Sequence, residues 1–127
     1  MCFVGEVDDL AAFYAAIRVA VVPLRYGAGV KIKTIEALQY AVPSVATSIG
    51  AEGLPLDDHR VLPVEDDPAA FATTVARLLR DPDAWARQRD AILEQHDRWE
   101  RVGRPPVWPS LLDRLAVPVR VADPLAT

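Results

Sequence analysis

The stretch VAVVPLRYGAGVKIKTIEALQY (residues 19–40) limits the folds open to this chain more than any other. VAVVPL (19–24) is apolar and mostly β-branched, the pattern of a strand buried on both faces of a parallel sheet. A loop with two glycines, Gly27 and Gly29, follows it. Residues 31–40 then carry Ile32, Ile35 and Leu38 at helical spacing, an apolar stripe suited to packing on a sheet. A buried strand leading through a short loop into an amphipathic helix points to an α/β fold with a parallel sheet.

The flanking sequence repeats the alternation. CFVG (2–5) is a short apolar run ended by glycine. DDLAAFYAAI (8–17) opens with Asp8 as its expected N-cap and places Leu10, Phe13, Tyr14 and Ile17 at helical spacing. VPSVAT (42–47) reads as a strand, GAEGLPLDDH (50–59) as a loop and RVLPV (60–64) as a short last strand. DDPAAFATTVARLLRD (66–81) has an acidic cap, an early proline and Phe71, Val75 and Leu78 on one face. DAWARQRDAILEQHDRW (83–99) is a second amphipathic helix. The pattern assigns residues 1–101 to one α/β unit. It leaves 102–127, with five prolines, as a tail holding at most one short helix near Ser110–Leu115.

Bulk properties narrow the functional classes. A chain of 127 residues can bury a sizeable core. A net charge of −4 argues against non-specific nucleic-acid binding. No apolar run approaches the ~20 residues needed to span a bilayer, so membrane contact is peripheral at most. The start MCFVGEVDDL is acidic where a signal peptide is basic. The lone Cys2 permits no internal disulfide and fits a reducing compartment, so a cytoplasmic location is expected. His59 and His96 lack metal-ligand spacing and are expected on the surface, and neither a metal nor a cofactor is expected. The paired carboxylates at 8–9, 57–58 and 66–67 read as caps and turn residues, and Trp85, Trp99 and Trp108 as helix packing.

Lys31 and Lys33 pose an electrostatic question. They are the only lysines, set against twelve arginines, and both sit where the helix begins. A helix N-terminus already carries about half a positive charge, which disfavours each cation by ~0.3–1 kcal/mol. Ligands of open α/β sheets bind beyond the carboxyl ends of the strands, where such a loop and helix start lie. Gly27 and Gly29 permit positive φ, and the first helical turn offers unpaired N–H groups to an anion. A diphosphate there would make both lysines favourable. Lys33, Glu36 and Tyr40 share another side of the helix, so a cation for phosphate lies one turn from a carboxylate able to grip hydroxyls. The competing reading is a surface Lys33–Glu36 pair in the weaker i,i+3 order.

PLRYGAGVKIKTIEALQYAVPSVATSIGAEGL (23–54) resembles the donor-binding core of group 1 retaining glycosyltransferases, enzymes of glycan biosynthesis with two facing Rossmann-like domains, the GT-B architecture. Residues 3–24 and 64–87 are similar to the segments that flank this core. The resemblance implies a Rossmann-like three-layer parallel sheet with helices on both faces, and a nucleoside-diphosphate sugar as donor substrate. It implies that Gly27, Ala28 and Gly29 present backbone N–H groups to the diphosphate. Lys33, joined by Lys31, would contact phosphate, Glu36 would bind ribose hydroxyls, and Glu6 and Val7 would lie near the base. Lys33 and Glu36 are thereby the expected catalytic pair. Glu52, in the loop after the next strand, becomes a candidate sugar contact.

The sequence also departs from the family. Ala28 stands where a first motif glutamate is frequent, and Ala41 where glycine is usual. The acceptor domain and the opening strand of the donor domain have no counterpart, so the chain is expected to be a fragment, inactive without an N-terminal acceptor domain or partner chain. The alternative is a non-catalytic α/β module that binds a nucleotide or a partner.

Overall fold

The computed structural model describes residues 3–29, 31–54, 56 and 58–102. Its elements are α1 (Leu10–Ala15), β1 (Ala20–Val22), α2 (Ile32–Gln39), β2 (Ser44–Ala46), α3 (Pro68–Arg80) and α4 (Pro82–Val102). β1 and β2 pair in parallel, with Ala20 opposite Ser44 and Val22 opposite Ala46. A single parallel bridge joins Ala46 to Val64, where Ala46 N–H donates to Pro63 O at 3.1 Å and Glu65 N–H to Ala46 O at 2.9 Å. The parallel α/β arrangement is thus present in reduced form. The described sheet has two strands and one bridge, where a three-layer sheet was expected.

Local chemistry sets the helix starts. Asp67 accepts from Ala70 N–H at 2.9 Å and Pro68 occupies the first turn, so α3 begins where cap and proline place it. In α1 the cap is Asp9, accepting from Ala12 N–H at 3.0 Å, and not Asp8. The other expected carboxylate roles divide. Asp66 holds the Ser48 N–H and hydroxyl at 2.8 and 2.9 Å, and Asp58 pairs with Arg60, whose guanidinium pulls its carboxyl below the ordinary range. Asp57 lies outside the described residues.

α2 ends on Ala41 at φ 54°, the left-handed region that favours glycine. Val42 N–H reaches back to Ala37 O at 2.9 Å and Ala41 N–H to Leu38 O at 3.0 Å, which closes the helix in a Schellman motif. α4 supplies the rest. Arg89 Nη1 donates to Ala41 O at 3.0 Å, and His96 Nε2 lies 2.9 Å from Leu38 O. Gln88 Nε2 donates to Ser44 O at 2.8 Å and Val61 O at 3.2 Å. These carbonyls lie in the core, where leaving them unbonded would cost ~1–3 kcal/mol each. His96 is therefore a half-buried tie between helices, contrary to the surface position expected for it; His59 is exposed.

The main core joins Val22, Leu38, Ala46, Leu62 and Ile92, from both strands, α2 and α4. Ile35 packs on Trp99, and Tyr14, Ala37 and Val42 fasten α1 to the other flank of α2. Two apolar expectations fail. Ile32, placed in the packing stripe, is 44% exposed, and Val21 in β1 is 49% exposed, so β1 is not covered on both faces. Residues 3–5 form no strand, and Phe3 and Val4 lie exposed, because no described segment pairs with them. Trp85 donates its Nε1–H to Arg18 O at 2.7 Å. Trp108 and the helix expected near Ser110–Leu115 fall outside the described residues.

Candidate functional site

The start of α2 lies beyond the carboxyl end of β1, and the loop between them turns at Gly27 (φ 125°) and Gly29 (φ 82°). Both values lie where a side chain is strained, which explains glycine at these two places. Lys31 occupies the N-cap position of α2 and offers no side-chain cap, because an ammonium cannot accept. Its carbonyl instead accepts from Thr34 and Ile35 N–H at 3.2 and 3.3 Å. Ile32 and Lys33 N–H belong to the first turn and have no acceptor within the helix.

The two lysines behave differently. Lys31 folds back over the glycine loop and donates to Gly29 O at 2.7 Å. Its ammonium stands 3.5 Å from Glu52 Oε2, and its side chain is only 13% exposed. The cation thus straps the 27–29 loop to the loop after β2. Lys33 is 77% exposed, with its Nζ 3.3 Å from Glu36 Oε2. At the mouth of the first turn, Lys33 is the solvated cation.

Glu36 is not a surface residue. Its side chain is 5% exposed, and Oε2 accepts from the buried Tyr14 hydroxyl at 2.8 Å. Burial, and then the Glu36 carboxylate beside it, push the Tyr14 hydroxyl well above its ordinary value, so it stays a proton donor. Tyr40 stacks on the Tyr14 ring at 4.9 Å and 12°, and Phe13 meets it edge-on at 5.3 Å. The helical spacing of Lys33, Glu36 and Tyr40 is therefore realised, with Tyr14 from α1 added. Sequence reading missed Tyr14's part. Its position beside Phe13 and Ile17 marks it as core, and only its hydroxyl hints at a buried acceptor nearby.

A second network fixes the floor. Thr34 Oγ1 donates to Gly50 O at 2.8 Å, Gly50 N–H donates to Thr47 Oγ1 at 3.1 Å, and Thr47 Oγ1 donates to Leu24 O. Gly50 sits so close to β1 that a Cβ there would lie 2.6 Å from Val22 O. These bonds tie the β1 end, the first turn of α2 and the 47–50 turn together. An open cavity of about 410 Å³ lies at this carboxyl end of the strands, lined by Leu24, Arg25, Thr47, Ser48 and Asp66 among others. A larger one, about 610 Å³, lies between α3 and α4. Lys33 and Glu36 line neither cavity, and Glu6 is exposed with no hydrogen bond or ion pair to α2 among the described residues. No helix of the described residues is long and apolar enough to cross a membrane.

Comparison with known proteins gives two matches. The family model described as "Glycosyl transferases group 1" matches residues 1–81, which include β1, the glycine loop, α2 and the 47–53 turn. A Klebsiella pneumoniae protein described as "Uncharacterized 44.6 kDa protein in cps region" is 34% identical over 65 residues. That match covers 51% of this chain and 17% of the Klebsiella protein. No solved structure matches.

Proposed function

This chain belongs to the group 1 glycosyltransferase family, and from that membership we propose that the junction between β1 and α2 binds the nucleoside diphosphate of a sugar donor for glycosyl transfer. The observation that carries the reading is Lys33. A solvated cation stands at a helix start that already favours anions, above a loop turned by two positive-φ glycines.

In this reading the backbone at Gly27, Ala28 and Gly29 lets the diphosphate approach, and the first-turn N–H groups and Lys33 hold its oxygens. The same groups neutralise the charge that grows on the leaving diphosphate as the bond to the anomeric carbon breaks, which is electrostatic stabilisation by donors already in place. Glu36, one turn further along, accepts from ribose hydroxyls. Lys31 joins the phosphate contacts when an anion replaces Glu52 as its partner, which leaves Glu52 free to meet the sugar. Transfer with retention at the anomeric carbon, in a two-domain enzyme, is part of the same proposal. The matched segment spans about a sixth of the Klebsiella protein, and this reading assigns no acceptor.

Calorimetric titration with UDP, GDP and inorganic pyrophosphate tests the site. Binding is expected to weaken as salt rises. Lys33→Ala is expected to weaken a nucleoside diphosphate and pyrophosphate alike, by about 1.5–3 kcal/mol for a lost charged hydrogen bond. Glu36→Ala should weaken the nucleotides and spare pyrophosphate. Nucleotide binding that survives Lys33→Ala would remove the site assignment.

A further inference from the structure

We propose that Tyr14 is a positioning residue of this site, holding the Glu36 carboxylate in place to receive sugar hydroxyls once Lys33 has moved onto phosphate. The inference rests on the reading above of Lys33 and Glu36 as diphosphate and ribose contacts.

The two donors of Glu36 converge on one oxygen. Tyr14 OH lies 2.8 Å from Oε2 and Lys33 Nζ lies 3.3 Å from the same atom. They differ in mobility. Lys33 is 77% exposed, on a long solvated stem, and its contact is the longer one. Tyr14 is 6% exposed, and its ring is clamped between the face of Tyr40 and the edge of Phe13. An incoming diphosphate competes for the lysine and cannot compete for the tyrosine.

The consequence follows from burial. A carboxylate so little exposed is costly to leave without a hydrogen-bond donor. If Lys33 were its only partner, drawing that lysine onto phosphate would release the carboxylate at the moment the ribose arrives. With Tyr14 in place, Oε2 keeps a short bond and the rotamer of Glu36 is held. The second oxygen is left to accept from the ligand. Tyr14 lies on α1 and Glu36 on α2, so the contact makes the packing of α1 part of nucleoside recognition. A simple brace between two helices would affect stability and nothing else. A positioning contact would separate recognition of the nucleoside from recognition of the phosphates.

Tyr14→Phe removes one oxygen and keeps both ring contacts, and the test is calorimetric titration of the full chain with UDP, GDP and inorganic pyrophosphate. Wild type and Tyr14→Phe are compared, with melts run in parallel. The tighter nucleotide is expected to bind Tyr14→Phe about tenfold more weakly, the loss typical of a charge-assisted hydrogen bond, with pyrophosphate changed by less than about twofold. In a Glu36→Ala background the same substitution should leave nucleotide affinity unchanged, since Tyr14 acts only through the carboxylate. Tyr40→Phe, which keeps the stack, should change neither ligand. Equal weakening of nucleotide and pyrophosphate, or a fall in melting temperature with no change in either, would overturn the proposal. So would a full Tyr14→Phe effect in the Glu36→Ala background. A wild type that binds neither nucleotide nor pyrophosphate would refute the diphosphate site and this inference together. Nucleotide binding that needs Lys33 and ignores Tyr14 would refute this inference alone.

Discussion

Removing either lysine deletes one cation from the same helix end, yet the two losses should differ in the ligand-free protein. Relief of the unfavourable placement on the helix dipole is worth about 0.5 kcal/mol for each, so it cancels in the comparison. Lys31→Ala also loses the bond to Gly29 O at 2.7 Å and the pair with Glu52 at 3.5 Å. The bond contributes about 1 kcal/mol and the half-exposed pair about 0.5 kcal/mol. Lys33→Ala loses one long, largely solvated i,i+3 contact worth about 0.3–0.5 kcal/mol. The net expectation is a loss of about 1 kcal/mol for Lys31→Ala and a change near zero for Lys33→Ala. For a chain of 127 residues, 1 kcal/mol moves the melting temperature by about 4 °C. Thermal melts followed by circular dichroism at low salt would read this difference directly. Glu52→Gln in the Lys31→Ala background should add almost nothing, because the partner is already gone. Should Lys33→Ala be the more destabilising of the two, Lys33 would be the structural strap and the assignment of Lys31 and Lys33 would be reversed.

Two further outcomes depend on tight packing and on buried hydroxyls. Gly50→Ala would push a Cβ to 2.6 Å from the Val22 carbonyl, an overpacking cost of about 1–3 kcal/mol, and a melt within about 2 °C of wild type would refute the close approach. Burial raises the hydroxyls of Tyr14 and Tyr40 above 10.0, so the folded state keeps protons that the unfolded chain releases. Their stabilisation is complete below pH 10 and is lost as pH rises beyond it, and denaturant titrations from pH 9 to 11 should show a shallower loss for Tyr14→Phe.

Most of the local structure was readable because its causes are local. Asp67 and Pro68 start α3 where cap chemistry says, and the Lys31–Leu38 periodicity gives α2 nearly to the residue. Ala41 was marked by the family resemblance, as standing where glycine is usual, and its φ of 54° supplies the physical reason for a glycine there. The family resemblance was equally legible, because its motif is contiguous and the match spans it. The extent of the sheet was not. CFVG and RVLPV read as strands by composition, but a strand is completed by a neighbour, and the described structure gives RVLPV a single bridge and residues 3–5 none.

The site divides along the same line. Sequence alone set the strand–glycine loop–helix order, put both lysines at the helix start and lined up Lys33, Glu36 and Tyr40 by helical spacing. Tertiary structure decided what each charge meets. It turned Lys31 onto Gly29 O and Glu52, left Lys33 in solvent, and buried Glu36 against Tyr14, 22 residues earlier in the chain. Helical periodicity fixes only the direction in which a side chain leaves its own helix. Whether a charge is bonded, buried or solvated depends on which distant element packs there, and that is set when α1 and the 50–53 loop close on α2.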